Sequence, residues 1–308
     1  MNNVLSNGFI EIAGFRLNYS IEGYGIPILV VGSSIYYKRT FSTAVKKQFR
    51  FIFVDHRGFV PPPVENLTTD SFELAVLIND IETIRSFFDL ENFIIAGHSG
   101  HAFMALEYAK KYPQHVLAVL MIAVTPDYSA DTHKIADLFF ESEASANRKE
   151  QFQSNMEQLP AQIAAHPGKR FVSYCLAAGP KSWYDYNFDA SHLWADVYTN
   201  MHMIDYVWGD VFRNIDIKKG LSSLHKPVLL ALGRYDFLTG PVNLWDEVKL
   251  HFADLTIKIF EKSAHCPQYE EEEPFDRELL QWVTGIEISQ VPVQSAESFK
   301  APPAKNHN

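Results

Sequence analysis

The sequence predicts an α/β fold, a sheet of short strands joined by crossover helices. Two observations predict it. Short strand-like apolar runs alternate with stretches of helical period along most of the chain. Several of those runs are apolar at every position, as expected of strands covered on both faces of a parallel sheet. The 308 residues, 47% of them hydrophobic, suffice to bury a core of that size in one large domain or in one domain with an insertion.

Phe9–Ile12 and Phe15–Glu22 bracket Ala13-Gly14, so the chain is expected to open with a hairpin. Pro27–Val31, Phe51–Val54, Phe93–Ala96 and Val116–Ile122 read as buried strands, and Val228–Leu232 and Leu255–Phe260 follow late in the chain. A helix is expected over Ser71–Asp89, with Phe72, Leu74, Leu77, Ile78, Ile81 and Ile84 at helical spacing and capping oxygens at Thr69-Asp70-Ser71. Another is expected over Ala102–Tyr112, and a last one from Pro274 to Val283 with proline near its first turn.

Residues 127–219 break this rhythm. They hold helical stretches, few strand-like runs and many aromatics, among them Phe139, Phe140, Phe171, Tyr174, Trp183, Tyr184, Tyr186, Trp194, Tyr198, Tyr206 and Trp208. That segment reads as a helical insertion over the sheet, with some of its aromatics lining a cavity and the rest packing. The expected division is a core of 1–126 and 220–285, an insertion of 127–219 and a disordered tail of 286–308, where Pro, Ser, Ala, Lys and Asn dominate.

A formal net charge of -10 argues against nucleic acid or an anionic membrane as partner, since an acidic surface repels both. The 2 cysteines, Cys175 and Cys266, fit a reducing compartment rather than a disulfide framework. The first residues carry no signal-peptide pattern, and no apolar run approaches a membrane span. A cytoplasmic protein acting on a small molecule is expected, without nucleic acid or membrane as partner; a homodimer is compatible with this.

Chemistry concentrates in three places. Phe93–Ala96 leads into Gly97-His98-Ser99-Gly100-His101 and then a helix. A serine on such a sharp strand-to-helix turn lifts its hydroxyl above the sheet edge, and the helix N-terminus offers N–H groups beside it. Ser99 is therefore the candidate nucleophile and the Gly100 N–H a candidate oxyanion donor. His101 stands where the G-x-S-x-G pattern has its second glycine, so its side chain must turn away from the neighbouring strand or fill a gap. His98 and His101 are expected to pack or to line the pocket.

A serine hydroxyl needs a base, and the base needs a carboxylate to hold its tautomer. Asp236, in Gly233-Arg234-Tyr235-Asp236, follows the run Val228–Leu232, and His265, in Ser263-Ala264-His265-Cys266-Pro267, follows Leu255–Phe260. Both fall on loops at the strand ends where Ser99 lies, in the order serine, acid, histidine. Asp127, after Val116–Ile122, is the rival acid. The run Glu270–Glu273 reads as a solvated helix start, and Cys266 as a packing residue.

These segments together resemble the α/β-hydrolases over about Gly8–Gly285, nearest to the group of proline iminopeptidases and short-chain esterases. Asp55-His56-Arg57-Gly58 is similar to that group's D-x-R-G turn, Gly233–Asp236 to its acid segment, and Ser263-Ala264-His265 with Pro274-Phe275 to its histidine loop and last helix. The resemblance implies an eight-stranded, mostly parallel sheet with helices on both faces and a helical cap inserted after the sixth strand. It implies a second oxyanion donor after the third strand, where Gly32-Ser33-Ser34 replaces the family's H-G-G; Ser34 falls at the donor position, with Ser33 the alternative. Ser99 sets the chain apart from relatives that attack with aspartate.

The expected chemistry is acyl transfer to water through Ser99, His265 and Asp236, on a small or medium ester, lactone or other acyl compound, with neither metal nor organic cofactor. Ser33, His98, Trp183 and Tyr206 are the expected pocket residues. An aminopeptidase is the nearest rival, and it needs a cap carboxylate facing Ser99; Glu141, Glu143 and Asp185 are available. A ligand receptor with an idle triad is the rival of another class.

Overall fold

The computed structural model describes residues 6–63 and 67–286. The expected tail therefore lies outside the described residues, apart from Ile286. The strands are β1 (Ser6–Ile12), β2 (Phe15–Glu22), β3 (Pro27–Gly32), β4 (Arg50–Asp55), β5 (Phe93–His98), β6 (Val116–Ile122), β7 (Val228–Gly233) and β8 (Leu255–Phe260). They form an eight-stranded sheet in the order β1-β2-β4-β3-β5-β6-β7-β8. β2 is antiparallel to β1 and to β4, and every other neighbouring pair is parallel. The opening hairpin turns at Ala13-Gly14, both with positive φ, 50° and 81°, as a tight two-residue connection requires.

The continuous apolar runs follow from two cores, one on each face. Leu29, Val31, Ile52, Val54, Ile95 and Met121 point into one. Ile28, Val30, Phe51, Phe53, Ile94 and Leu120 point into the other. The period of 2 persists in these strands, but both faces are covered, so no polar alternation marks it. Helices α1 (Leu74–Phe87) and α2 (His101–Lys111) bury Leu77, Ile81, Ile84 and Phe103 in the first core.

Between β6 and β7 the described residues form helices but no strand: α3 (Ala130–Glu143), α4 (Ala146–Ala165), α5 (Arg170–Ala177) and shorter turns that include Met201–Tyr206. The last helix, α6 (Glu272–Gly285), seals the second core with Phe275, Leu279 and Val283.

Two helix boundaries differ from expectation. Glu73 is extended, with ψ of 142°, so the stretch from Ser71 splits into a 3-10 turn over Thr69–Phe72 and then α1. The last helix starts at Glu272, which leaves Pro274 still within the first turn, where its missing N–H has no intrahelical partner to lose.

The parallel register brings the strand ends level. Gly32 pairs with Asp55, Val30 with Ala96, His98 with Ile122, Ile122 with Ala231 and Gly233 with Phe260. The loops after β3, β4, β5, β7 and β8 therefore gather at one edge, where ligand sites of parallel sheets lie.

Candidate active site

Ser99 follows β5 directly and has φ of 55°, the left-handed region that a non-glycine residue enters only under constraint. Its N–H donates to the Ile122 carbonyl at 2.8 Å, which ties the turn to β6. Gly97 is obligatory here, because a Cβ at that position would lie 2.2 Å from the His101 carbonyl oxygen. The chain then enters α2, whose first residues leave the Gly100 N–H without a partner among the described residues.

The loops after β7 and β8 bring the acid and the imidazole together. Asp236 Oδ2 lies 2.8 Å from His265 Nδ1, while Oδ1 accepts the N–H groups of Leu238 and Thr239 at 3.0 and 3.2 Å. Asp236 is only 2% exposed, so its carboxylate is held in one orientation toward the ring. Gly233 makes the approach possible, because a Cβ there would meet the Ala264 carbonyl oxygen at 1.9 Å. With Nδ1 facing a carboxylate, the imidazole carries its proton there and presents Nε2 as an acceptor. Asp127 sits elsewhere: its Oδ1 accepts from the Ser129 N–H and the Thr132 hydroxyl and closes the start of α3.

Ser99 and His265 line one cavity of about 190 Å³, without a direct hydrogen bond between them among the described residues. Ser33, His98 and Trp183 share its wall. Of the inserted aromatics, Phe171, Tyr174, Trp183, Trp194 and Trp208 face it, whereas Phe139 and Phe140 pack around Phe237. Among the described residues, the lining contains no Asp, Glu, Lys or Arg. Glu141, Glu143 and Asp185 are exposed and lie outside it.

Two expected site residues are displaced. Tyr206 does not line the cavity; its hydroxyl donates to Glu73 at 2.7 Å at the surface. The Ser34 N–H is taken by the buried Asp55 carboxylate at 2.6 Å, and Ser34 borders a different depression. Burial pushes the Asp55 carboxyl up to about 6, against the lowering effect of its bonds from Ser34 and Asn18. Ser33 lies in the cavity wall instead, and its N–H has no partner among the described residues.

Several groups escaped the sequence. His101 turns its ring away from the sheet toward Tyr37 and His56, with which it forms a buried hydrogen-bonded chain that also reaches His98. Burial lowers His56 and His98 to about 3 and His101 well below its usual value, so all three rings are neutral. Glu270 is no solvated helix start: it is mostly buried and accepts the N–H groups of Tyr184, Ala264 and Cys266 at 2.6, 2.9 and 3.1 Å. Burial raises its carboxyl to about 7 despite those bonds. Among the described residues no cluster of His, Cys, Asp and Glu has the geometry to hold a metal ion, and no helix is long and apolar enough to cross a membrane.

Residues 23–272 match the protein family described as alpha/beta hydrolase fold. The chain is 45% identical over 276 residues to the AB hydrolase superfamily protein YclE of Bacillus subtilis strain 168, covering 90% of this chain and 98% of that one. It is 26% identical to a proline iminopeptidase of Heyndrickxia coagulans, over 88% and 96% of the two chains. In three dimensions it resembles an alpha/beta fold family hydrolase from Bacillus anthracis strain Sterne, with a TM-score of 0.68 at 17% identity over 90% of this chain and 99% of that one.

Proposed function

The chain belongs to the α/β-hydrolase family, and from that premise we propose that it is a serine esterase acting on a small or medium acyl ester or lactone without charge near the scissile bond. Ser99 attacks the carbonyl carbon. His265 takes the hydroxyl proton at Nε2 and passes it to the leaving oxygen. Asp236 holds the ring and stabilises its cationic form. Water, activated by the same base, then repeats the sequence on the acyl-enzyme and frees Ser99. The N–H groups of Gly100 and Ser33 stabilise the oxyanion, and each such donor contributes about 100- to 1000-fold in rate. Residues 127–219 act as the cap that supplies the aromatic wall.

The observation that carries the substrate class is the aromatic lining, without Asp, Glu, Lys or Arg among the described residues, of the cavity shared by Ser99 and His265. An enzyme that releases N-terminal residues must hold a substrate ammonium out of water, and doing so without a carboxylate is costly. Among the described residues no carboxylate lines this cavity, so the aminopeptidase alternative loses the feature it requires.

Turnover of chromogenic acyl esters beside aminoacyl anilides, with Ser99→Ala run in parallel, tests the proposal. Ester hydrolysis lost in the variant and little anilide hydrolysis is the expected result. Preference for an anilide with a free N-terminus would make the enzyme a peptidase. Tight ligand binding with no turnover would favour a receptor.

A further inference from the structure

His101 occupies the elbow position where a glycine is usual, and the structure joins it to His56, on the turn after β4, and to His98, at the end of β5. Starting from the turn after β4, the Gly58 N–H donates to His56 Nδ1 at 2.8 Å. A neutral His56 must then carry its proton on Nε2, which faces His101 Nε2 at 2.7 Å and donates to it. That leaves the His101 proton on Nδ1, 2.7 Å from the Tyr37 hydroxyl oxygen. The Tyr37 hydroxyl, its oxygen now accepting, points its hydrogen at His98, whose Nδ1 and carbonyl both lie at 3.4 Å. Finally His98 Nε2 lies 2.6 Å from the carbonyl of His265, so Nε2 bears the proton and Nδ1 is free to accept.

Both ends of this chain are peptide groups, a donor at Gly58 and an acceptor at His265, so its direction is determined. Protonating His101 at Nε2 would set two N–H groups against each other across 2.7 Å, and protonating His56 at Nδ1 would do the same against the Gly58 N–H across 2.8 Å. Every ring in the chain is buried, and an unmade bond there costs far more than in water.

We propose that His56, His101, Tyr37 and His98 form a positioning relay that fixes the backbone of His265 relative to the turn carrying Ser99. The inference rests on the role given above to Ser99 and His265. It also accounts for the histidine at the elbow: a glycine at 101 would cut the relay in the middle. On its other side, His265 is held through its own N–H, which donates to the Ser182 carbonyl at 2.9 Å. The relay therefore supplies the carbonyl-side restraint, and with it the aim of the ring.

The test combines a spectrum and a set of rates. Nitrogen-15 resonances of the histidines should report Nε2-protonated His56 and His98 and Nδ1-protonated His101. His98→Leu should lower kcat on an acyl ester by about 10- to 100-fold with KM changed much less. His98→Gln, whose amide N–H can reach the same carbonyl, should restore kcat to within about threefold of wild type. Tyr37→Phe, which leaves His98 in place and breaks the chain upstream, should lower kcat by roughly threefold or more and shift the His101 resonances. It also carries the test if His98→Leu fails to fold.

Wild-type kcat in Tyr37→Phe, equal losses in His98→Gln and His98→Leu, or the opposite tautomers would overturn the relay. A wild-type protein that showed the expected tautomers yet hydrolysed no ester would instead overturn the esterase proposal, and with it the positioning role.

Discussion

Glu270 grips the backbone on both sides of His265: its Oε2 accepts the N–H of Ala264 at 2.9 Å and that of Cys266 at 3.1 Å. Its other oxygen accepts the Tyr184 N–H at 2.6 Å, so one side chain ties the imidazole loop to the inserted segment. Glu270→Gln keeps the volume but replaces an acceptor with an N–H donor that faces other N–H groups. It should lower kcat by about 10-fold while Ser99→Ala controls remain silent, since small displacements of a catalytic group are expensive. Unchanged steady-state kinetics in Glu270→Gln would show that the grip is dispensable.

Asp236 and Asp127 differ in what they hold. Asp236 faces His265, whereas Asp127 closes the first turn of α3. Asp236→Asn should reduce kcat by about 10⁴-fold by favouring the wrong tautomer. Asp127→Asn keeps an acceptor oxygen for both of its bonds, so stability should change little and kcat should stay within about threefold. Parallel kinetics and thermal melts on the two variants check the ranking, and the reverse ranking would move the acid to Asp127.

Buried neutral histidines make folding depend on pH. His98 is lowered by burial to about 3, while its unfolded value is near 6.5. Between those values the unfolded chain binds a proton that the folded chain does not, so stability is full above about 6.5 and is lost as pH falls toward 3. His56, also near 3, adds the same sign. Asp55 and Glu270, raised to about 6 and about 7, act in the opposite sense, because the folded state keeps their protons longer. A comparison with His98→Gln cancels those carboxylates. The drop in melting temperature between pH 7 and pH 5 should be smaller in the variant than in wild type, and an equal or larger drop would contradict a neutral His98.

Arg57 and Asp80 form a buried two-pronged pair, Nε to Oδ2 at 2.6 Å and Nη2 to Oδ1 at 2.7 Å, that anchors the turn after β4 to α1. Asp80→Ala would strand the guanidinium and should destabilise the protein by about 3–5 kcal/mol. Urea unfolding measures this, with an unchanged slope expected. Because the turn also carries His56, activity should fall in the same variant even where it is folded.

The sheet was legible because continuous apolar runs such as Pro27–Val31 and Phe51–Val54, too short for a buried helix, suit a strand covered on both faces. The order of Ser99, Asp236 and His265 on strand-end loops was legible for a related reason: each motif follows a strand whose end is marked by glycine or polar residues. The proposed oxyanion donor shifts from Ser34 to the alternative Ser33 because Asp55 reaches across from β4 to claim the Ser34 N–H, a contact with no local signal in the sequence. Tyr206 was misplaced because an aromatic in a helical insertion carries no sign of which side it faces. The acidic run Glu270–Glu273 looks solvated in sequence, and only the folded loop shows Glu270 turned inward onto peptide N–H groups. The contact between His56 and His101 joins the turn after β4 to the start of α2, 45 residues apart, and no local pattern announces it.

The most direct measurement is rapid-quench mass spectrometry of the enzyme mixed with an activated acyl ester. An acyl group on Ser99, formed in a burst before steady turnover and absent from Ser99→Ala, is the predicted result. Acyl transfer to another residue, or equal acylation of the Ser99→Ala variant, would contradict the assignment of Ser99 as the nucleophile.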